Sequence, residues 1–474
     1  MNAPIARLFV VVIVLFAVLV GFTSRWTVFD ANALRDNPKN RRELLEEQRI
    51  RRGLIRAGDD TVLARSVKRP DDAYVRSYPE GRLFSHAVGY SFVRQGRAGL
   101  ERFYDDDLSG RKSDLGSLID RLTDSQKDGD NLVTSLNPAA QRVALQQLGD
   151  RKGAVVALNP RTGAIDVMAS VPGYDPNAVK NQQDFQALNR DSDAPLLNRN
   201  TQAGYPPGST FKVVSAIAAI DSGRYTPDSR ISGRNGKVIS GVPLNNDGGE
   251  SFGDITLTDA LTHSVNTVFG EVGEKVGKAT MKKYMDRLGF GRPVEVDLPR
   301  DERAASGERR NGRIIPATSR FVDVGRMAIG QDKLTVTPLQ MAMVAASVAN
   351  GGKLMKPHIA DRVVDRDGRT VRHIAPEEMS QVMSPDTASQ VGAMMGQVVK
   401  EGTGTAAALQ GIDVAGKTGT AEVGHGCPNQ LWFIAFAPVQ DPRVAIAVTV
   451  ECGTGFGGTV AAPIAKAVMQ ELLK

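Results

Sequence analysis

What this chain lacks narrows its reading first. It has two cysteines, Cys427 and Cys452, and five scattered histidines, none in an HExxH or CxxC spacing. Without such spacings no structural or catalytic metal and no cofactor are expected. Aromatic residues are sparse at 5%, and no Lys/Arg block is interleaved with them, so the net charge of +6 does not mark a nucleic-acid site. Long apolar runs are scarce as well, with a single exception. Leu8 to Ser24 carries no charge between Arg7 and Arg25, and this length is the lower limit for a helix crossing a bilayer. A cleaved signal peptide is the rival reading, but the run exceeds a usual h-region and no A-x-A site follows. An uncleaved single-pass anchor in the membrane lipid is expected. Arg25, Arg35, Lys39, Arg41 and Arg42 follow it and only Arg7 precedes it, a count that would keep the body inside. Large domains are exported regardless of that count, so the chemistry must decide.

What is present is ordinary globular material. Hydrophobic residues reach 41% and charged residues 24%, enough to repay ordering, and 474 residues predict two or three domains. Asn40 to Arg52 reads as a charged stalk helix. From Gly53 to about Leu122, short apolar runs such as Thr61-Val62-Leu63 and His86 to Tyr90 alternate with turn residues, which suggests a small α+β module. The polar stretch Thr123 to Asn131 reads as a boundary. The expected division is 1–29 tail and anchor, 30–130 small α+β domain, and 131–474 a larger domain. In the last, Gly153–Leu158 and Ala164–Ala169 predict a hairpin. Leu431–Ala437 and Val444–Val450 predict another pair of strands around a turn at Pro438–Pro442, and Ala461–Leu473 a closing helix.

Three short motifs carry chemistry. Two prolines and a glycine precede Ser209-Thr210-Phe211-Lys212, so Ser209 is placed in the first turn of a helix with Lys212 on the same face. A serine hydroxyl needs a base, and a lysine serves only if burial and cationic neighbours depress its pKa. Ser264-Val265-Asn266 follows a short helix over Thr258–Thr262 and, read as extended, projects a hydroxyl and an amide from one wall. Lys417-Thr418-Gly419-Thr420 precedes the second strand pair. There Gly416 and Gly419 would leave room for a substrate backbone along a strand edge.

SxxK, SxN and KTG in this order resemble the penicillin-binding protein and serine β-lactamase superfamily. Gly330-Gln-Asp-Lys-Leu-Thr-Val-Thr-Pro-Leu-Gln340, Ala349-Asn-Gly-Gly352 and Glu401-Gly-Thr-Gly404 are similar to its transpeptidase branch. Asn37-Pro-Lys-Asn-Arg41, Arg52-Gly53 and Gly99-Leu-Glu101 resemble the non-catalytic pedestal, a dimerisation-type domain, of class B penicillin-binding proteins. The compact size is similar to division-linked actinobacterial members. The resemblance implies an α+β multidomain fold: transmembrane helix, α+β pedestal, and a transpeptidase domain with a mainly antiparallel sheet flanked by helices. It implies a peptidoglycan D,D-transpeptidase of cell wall synthesis that β-lactams acylate. In it Ser209 is the nucleophile, Lys212 its base, and Ser264 with Lys417 a proton relay. Asn266 holds the donor stem peptide, Thr418, Gly419 and Thr420 bind near its terminal carboxylate, and the N–H groups of Ser209 and Thr420 receive the oxyanion. It also implies a catalytic domain outside the membrane and a membrane glycosyltransferase of the division machinery as partner, since about 90 residues of pedestal are too few for a glycan polymerase.

Several rivals remain in view. The middle motif is Ser-Val-Asn, and no counterpart of a glutamate that activates deacylating water is found, which argues against rapid β-lactam hydrolysis; Glu308-Arg-Arg-Asn311 is a partial echo. A D,D-carboxypeptidase differs only in its acceptor, and a non-catalytic division scaffold is a further alternative. Gly411 to Thr418 matches GxxxxGK[ST], but glycines follow where a phosphate loop needs a helix. Finally, a hairpin centred near Gln440 sets Cys427 nearly opposite Cys452, so a disulfide beside the KTG strand is expected in an oxidising exterior, with two buried thiols as the alternative.

Overall fold

The computed structural model describes residues 3–25, 48–110, 128–424 and 426–474. Two compact units are distinguished, residues 1–51 with 67–75, and residues 52–66 with 76–474. In the first, helix α1 (Ala3–Ser24) contains a span of 21 residues with mean hydropathy 2.9, long and apolar enough to cross a membrane. Its Leu8, Phe9, Leu15 and Phe16 are exposed, as lipid-facing side chains would be. Most of the expected stalk over Asn40–Arg52 lies outside the described residues, as does much of the polar stretch Thr123–Asn131.

The second unit holds two main sheets. The chain lays down β1 (Ile55–Arg56), β2 (Val62–Lys68, which belongs to this unit as far as Ser66) and β3 (Asn131–Thr134), then helix α2 (Pro138–Leu148), then the hairpin β4 (Gly153–Leu158) and β5 (Ile165–Val171). Helices α3 (Lys212–Asp221), α4 (Leu257–Thr262), α5 (Asn266–Arg287), α6 (Val324–Ala328) and α7 (Pro338–Ala349) follow. Strands β6 (Ala360–Val364) and β7 (Thr370–His373), helix α8 (Pro385–Lys400), strands β8 (Ala415–Gly424), β9 (Cys427–Ala437) and β10 (Val444–Gly453), and helix α9 (Gly457–Leu472) complete it.

The central sheet runs β8-β9-β10-β4-β5, antiparallel throughout. Its strands read as unbroken apolar runs because both faces are covered, and successive side chains point to opposite sides. Leu431, Phe433 and Ala435 pack with Ala144 and Leu148 of α2 and Ala465 of α9. Trp432, Ile434 and Phe436 face the other core, with Val213 of α3, Leu339 of α7 and Val391 of α8. Helix starts are chemically marked: Asn137, Thr337 and Ser384 each accept a backbone N–H ahead of a proline, and Thr256 with Asp259 makes a capping box for α4.

The other sheet ignores the division expected at 130/131. β3 pairs in parallel with β1 (Ile55 opposite Leu132) and antiparallel with β6 (Val363 opposite Leu132), so β7, β6, β3, β1 and β2 are neighbours in that order. Local reading could not find this, because β6 comes more than 220 residues after β3 in sequence. The run His86–Tyr90, read as one of the small domain's apolar runs, begins inside a helical turn, Ser85–Val88. Beneath this region lies a buried ionic knot. Glu101, with no exposure, accepts from Arg52 at 3.0 Å and from Arg76 at 2.5 Å, and Arg52 also meets Asp105 at 2.5 Å. The resemblance of Arg52-Gly53 and Gly99-Leu-Glu101 thus rests on residues that meet in space.

Cys427 and Cys452 form a disulfide across the open end of the β9–β10 hairpin, with Cα atoms 4.6 Å apart. The strand register shifts between Asn429 and Leu431, and Cys452 has a left-handed φ of 48°. The bond closes a loop spanning a sequence separation of 25 residues. Replacing both cysteines with serine is therefore expected to cost about 3 kcal/mol in denaturant unfolding. An unchanged midpoint, or two free thiols in mass spectrometry of the unreduced protein, would contradict this.

Candidate active site

Ser209 lies in a single 3₁₀ turn, Gly208–Phe211, whose end opens α3 at Lys212. The first helical turn expected from the sequence is thus this tighter one. The turn is held from three sides. Gly208 N donates to Gly330 O at 3.0 Å, Trp432 Nε1 donates to Pro206 O at 2.9 Å, and Tyr205 OH donates to Glu451 at 2.5 Å. Gly330 must be glycine: its φ is 77°, and a Cβ there would lie 1.9 Å from Gly208 O. Gly330→Ala should therefore cost about 2–4 kcal/mol and displace the Ser209 turn. Unfolding curves and β-lactam acylation rates read the two effects; retention of both would show that the turn adapts.

The glycines of the third motif are read differently in space. A Cβ at Gly419 would meet Pro207 O at 2.8 Å and Thr210 at 2.9 Å, and one at Gly416 would meet the Phe433 ring at 2.6 Å. Both therefore admit neighbouring parts of the chain, the Ser209 turn and a core ring, and not a substrate backbone as the sequence reading had it. Lys417 sits in the edge strand β8 and not in a loop opening a helix, which removes the phosphate-loop reading.

Ser264 and Asn266 also depart from the extended form, which only Val265 between them keeps. Ser264 has φ 60°, and Asn266 is the first residue of α5. Ser264 and Asn266 nevertheless converge, now on one amine. Lys212 Nζ donates to Ser264 O at 2.6 Å, to Asn266 Oδ1 at 2.7 Å and to Ser264 Oγ at 3.2 Å. From the other side Lys417 Nζ donates to Ser264 Oγ at 2.9 Å and to Thr418 O at 3.1 Å. Asn266 is oriented by its own Nδ2, which donates to Asn245 O at 3.0 Å.

Both lysines are fully buried. Burial, together with the like charge of Lys417, holds the Lys212 amine well below the ordinary lysine range, and burial brings Lys417 down to about 7. Two ammonium groups sharing one hydroxyl repel, so the arrangement favours a neutral amine. The carbonyl of Ser264 and the amide oxygen of Asn266 can only accept, so they use two N–H groups of Lys212. The hydroxyl of Ser264 can accept or donate, and it is the partner that can exchange a proton.

These groups face a cleft of about 530 Å³ lined by Ser209, Ser264, Asn266, Thr418 and Thr420. The structure adds Thr403, whose Oγ1 lies 2.6 Å from that of Thr418, together with Asp247, Gln331 and Phe456. Of these, Thr403 had a signal in the run Glu401–Gly404 and Gln331 in the run beginning at Gly330. Asp247 and Phe456 had none, being brought in by loops. Among the described residues no cluster of His, Cys, Asp or Glu is arranged to hold a metal.

A serine in a tight turn, a hydroxyl between two buried lysines and an edge strand along one wall define a serine acyl-transfer centre. The chain belongs to the penicillin-binding protein transpeptidases: the penicillin-binding protein transpeptidase domain matches residues 153–470, and the penicillin-binding protein A dimerisation domain matches residues 52–132. Among its relatives, peptidoglycan D,D-transpeptidase PbpA of Mycolicibacterium smegmatis is 35% identical over 500 residues, covering 100% of this chain and 99% of that protein. Its Mycobacterium tuberculosis counterpart is 34% identical over 502 residues, with the same coverage of both chains. The solved ceftriaxone acyl-enzyme complex of M. tuberculosis penicillin-binding protein A superposes with a TM-score of 0.82 at 32% identity, covering 91% of this chain and 100% of that one.

Proposed function

We propose that this transpeptidase cross-links peptidoglycan stem peptides through an acyl-enzyme on Ser209 and that β-lactams acylate the same oxygen. The observation that carries the reading is the Ser264 hydroxyl lying 3.2 Å from one buried lysine amine and 2.9 Å from another, at a cleft that Ser209 lines. Lys212, neutral at working pH, takes the proton of Ser209 as its oxygen bonds to the D-Ala-D-Ala carbonyl. The N–H groups of Ser209 and Thr420 hold the oxyanion. The proton passes through Ser264, whose hydroxyl Lys417 keeps in place, to the nitrogen of the departing D-alanine. Asn266 positions the donor peptide, and Thr418 and Thr420, with Gly419 between them, place its carboxylate. An amine of a second stem peptide then attacks the ester, its proton returning by the same route, and Ser209 is regenerated.

In this reading residues 131–474 carry the chemistry, 30–130 are a non-catalytic pedestal and 1–29 anchor the chain. The catalytic domain lies on the outer side, an oxidising location that the Cys427–Cys452 disulfide suits. Glycan strands come from a separate membrane glycosyltransferase, in division. Incubation with a stem pentapeptide and a fluorescent D-amino acid is expected to give mainly the acyl-transfer product. Release of D-alanine with hydrolysis alone would make the enzyme a carboxypeptidase, and neither product would leave a scaffold.

A further inference from the structure

A second cavity, of about 560 Å³, shares no lining residue with the Ser209 cleft. Its wall combines two chemistries. Phe103, Pro293, Val296, Pro357 and Ile374 make an apolar side, and Phe103 is 47% exposed. Arg292, Arg300 and Arg303 make a cationic side, and none of the three forms an ion pair among the described residues.

The carboxylates in the same wall are already engaged. Glu377 meets Lys356 at 3.0 Å and Glu295 meets it at 4.0 Å. Asp297 accepts from Ile359 N at 2.7 Å, from Ala360 N at 2.8 Å and from Tyr104 OH at 3.2 Å. Of these carboxylates only Glu295 acts on the arginines, through the field it exerts on Arg303, and none forms an ion pair with Arg292, Arg300 or Arg303 among the described residues.

Two buried nitrogens in the wall have no protein partner, Nε of Arg303 and Nε2 of His358. The remaining contacts of these residues are made: Arg303 donates to the Val294 and Val296 carbonyls, and His358 Nδ1 lies 2.8 Å from Ala360 O. Guanidinium groups are the side chains best shaped for oxyanions, and an adjoining apolar surface adds affinity for a carbon body attached to one.

We propose that this cavity binds an organic oxyanion, a phosphate or carboxylate carried on an apolar body, with the anion on Arg292, Arg300 and Arg303 and the body on Phe103 and Ile374. The site lies outside the catalytic machinery and does not depend on the reading of Ser209.

Calorimetric titration of the full chain in detergent with phenyl phosphate tests it. Saturable binding is expected in the wild type, and about tenfold or more weakening in Arg292→Gln/Arg300→Gln, because each charged hydrogen bond is worth about 1.5–3 kcal/mol and every 1.4 kcal/mol is tenfold. Both arginines are exposed and their side chains make no hydrogen bond or ion pair among the described residues, so the variant should fold, and fluorescent-penicillin labelling should be unchanged. Phe103→Ala should weaken phenyl phosphate while leaving inorganic phosphate unaffected. Dihexanoyl phosphatidylglycerol separates the sources: if it competes, the ligand is a lipid headgroup; if it does not while phenyl phosphate binds, the ligand is a soluble ester. No saturable binding, equal binding by the double variant, or inorganic phosphate binding as tightly as phenyl phosphate would overturn the proposal.

Discussion

Ser209→Ala is expected to abolish covalent labelling by fluorescent penicillin and to lower turnover of a D-Ala-D-Ala stem peptide by at least about 10³-fold, since the attacking oxygen has no substitute. The fold should not suffer. Ser209 is partly exposed, and no structural hydrogen bond is built on its hydroxyl among the described residues; Gly208, Pro206 and Tyr205 fix the turn instead. Unchanged unfolding with lost label is therefore the expected pair of results. Ser209-independent label would move the nucleophile elsewhere, and full cross-linking restored by the alanine variant in a deletion strain would favour a scaffold.

Lys212→Met should lower the acylation rate by about 10²–10⁴-fold, the usual contribution of a positioned general base. It should also remove the acid limb of the pH–rate profile. In the wild type that limb lies well below the ordinary lysine range, because burial and the like charge of Lys417 hold the Lys212 amine there. Stability carries a second signature. A lysine whose folded-state pKa is depressed binds fewer protons than the unfolded chain between the two pKa values, so wild-type stability rises with pH across that window and is lower below it. The methionine variant lacks this group's slope, so its stability relative to wild type should improve as pH falls. Against that, Ser264 O and Asn266 Oδ1 lose their donor, at about 1–3 kcal/mol each where buried. Stopped-flow acylation and denaturant unfolding between pH 5 and 10 read both. An unshifted acid limb in Lys212→Met would exclude Lys212 as the base.

How much of this was legible depended on distance along the chain. Both strand pairs of the central sheet were readable because each is a local apolar run with its own turn, and the hairpin of β9 and β10 even carried the Cys427–Cys452 pairing. Ser209, Lys212, Ser264, Asn266 and Lys417 were legible as motifs, since each keeps its residue types close together. Their local conformation was less so: the left-handed φ of Ser264 closes α4, with Ser264 N donating to Leu261 O at 3.2 Å and Val265 N to Ala260 O at 2.8 Å, a helix end usually marked by glycine and here carried by a serine. The purpose of Gly416 and Gly419 was misread because the groups they admit, Phe433 and the Pro207–Thr210 turn, come from elsewhere in the chain. Asp247 and Phe456 carried no pattern at all.

The shared sheet bears on inheritance. Because β3 is hydrogen-bonded on one side to β1 and on the other to β6, a recombination point placed at residue 131 would part strands that complete each other. The catalytic half acquired alone would carry β3 with an unpaired edge, and such an edge invites association with other chains. A gene exchange that preserves a folded product must therefore carry the segment from about residue 52 to the end as one block. Variation in such a lineage should accumulate within the block and not by shuffling its halves.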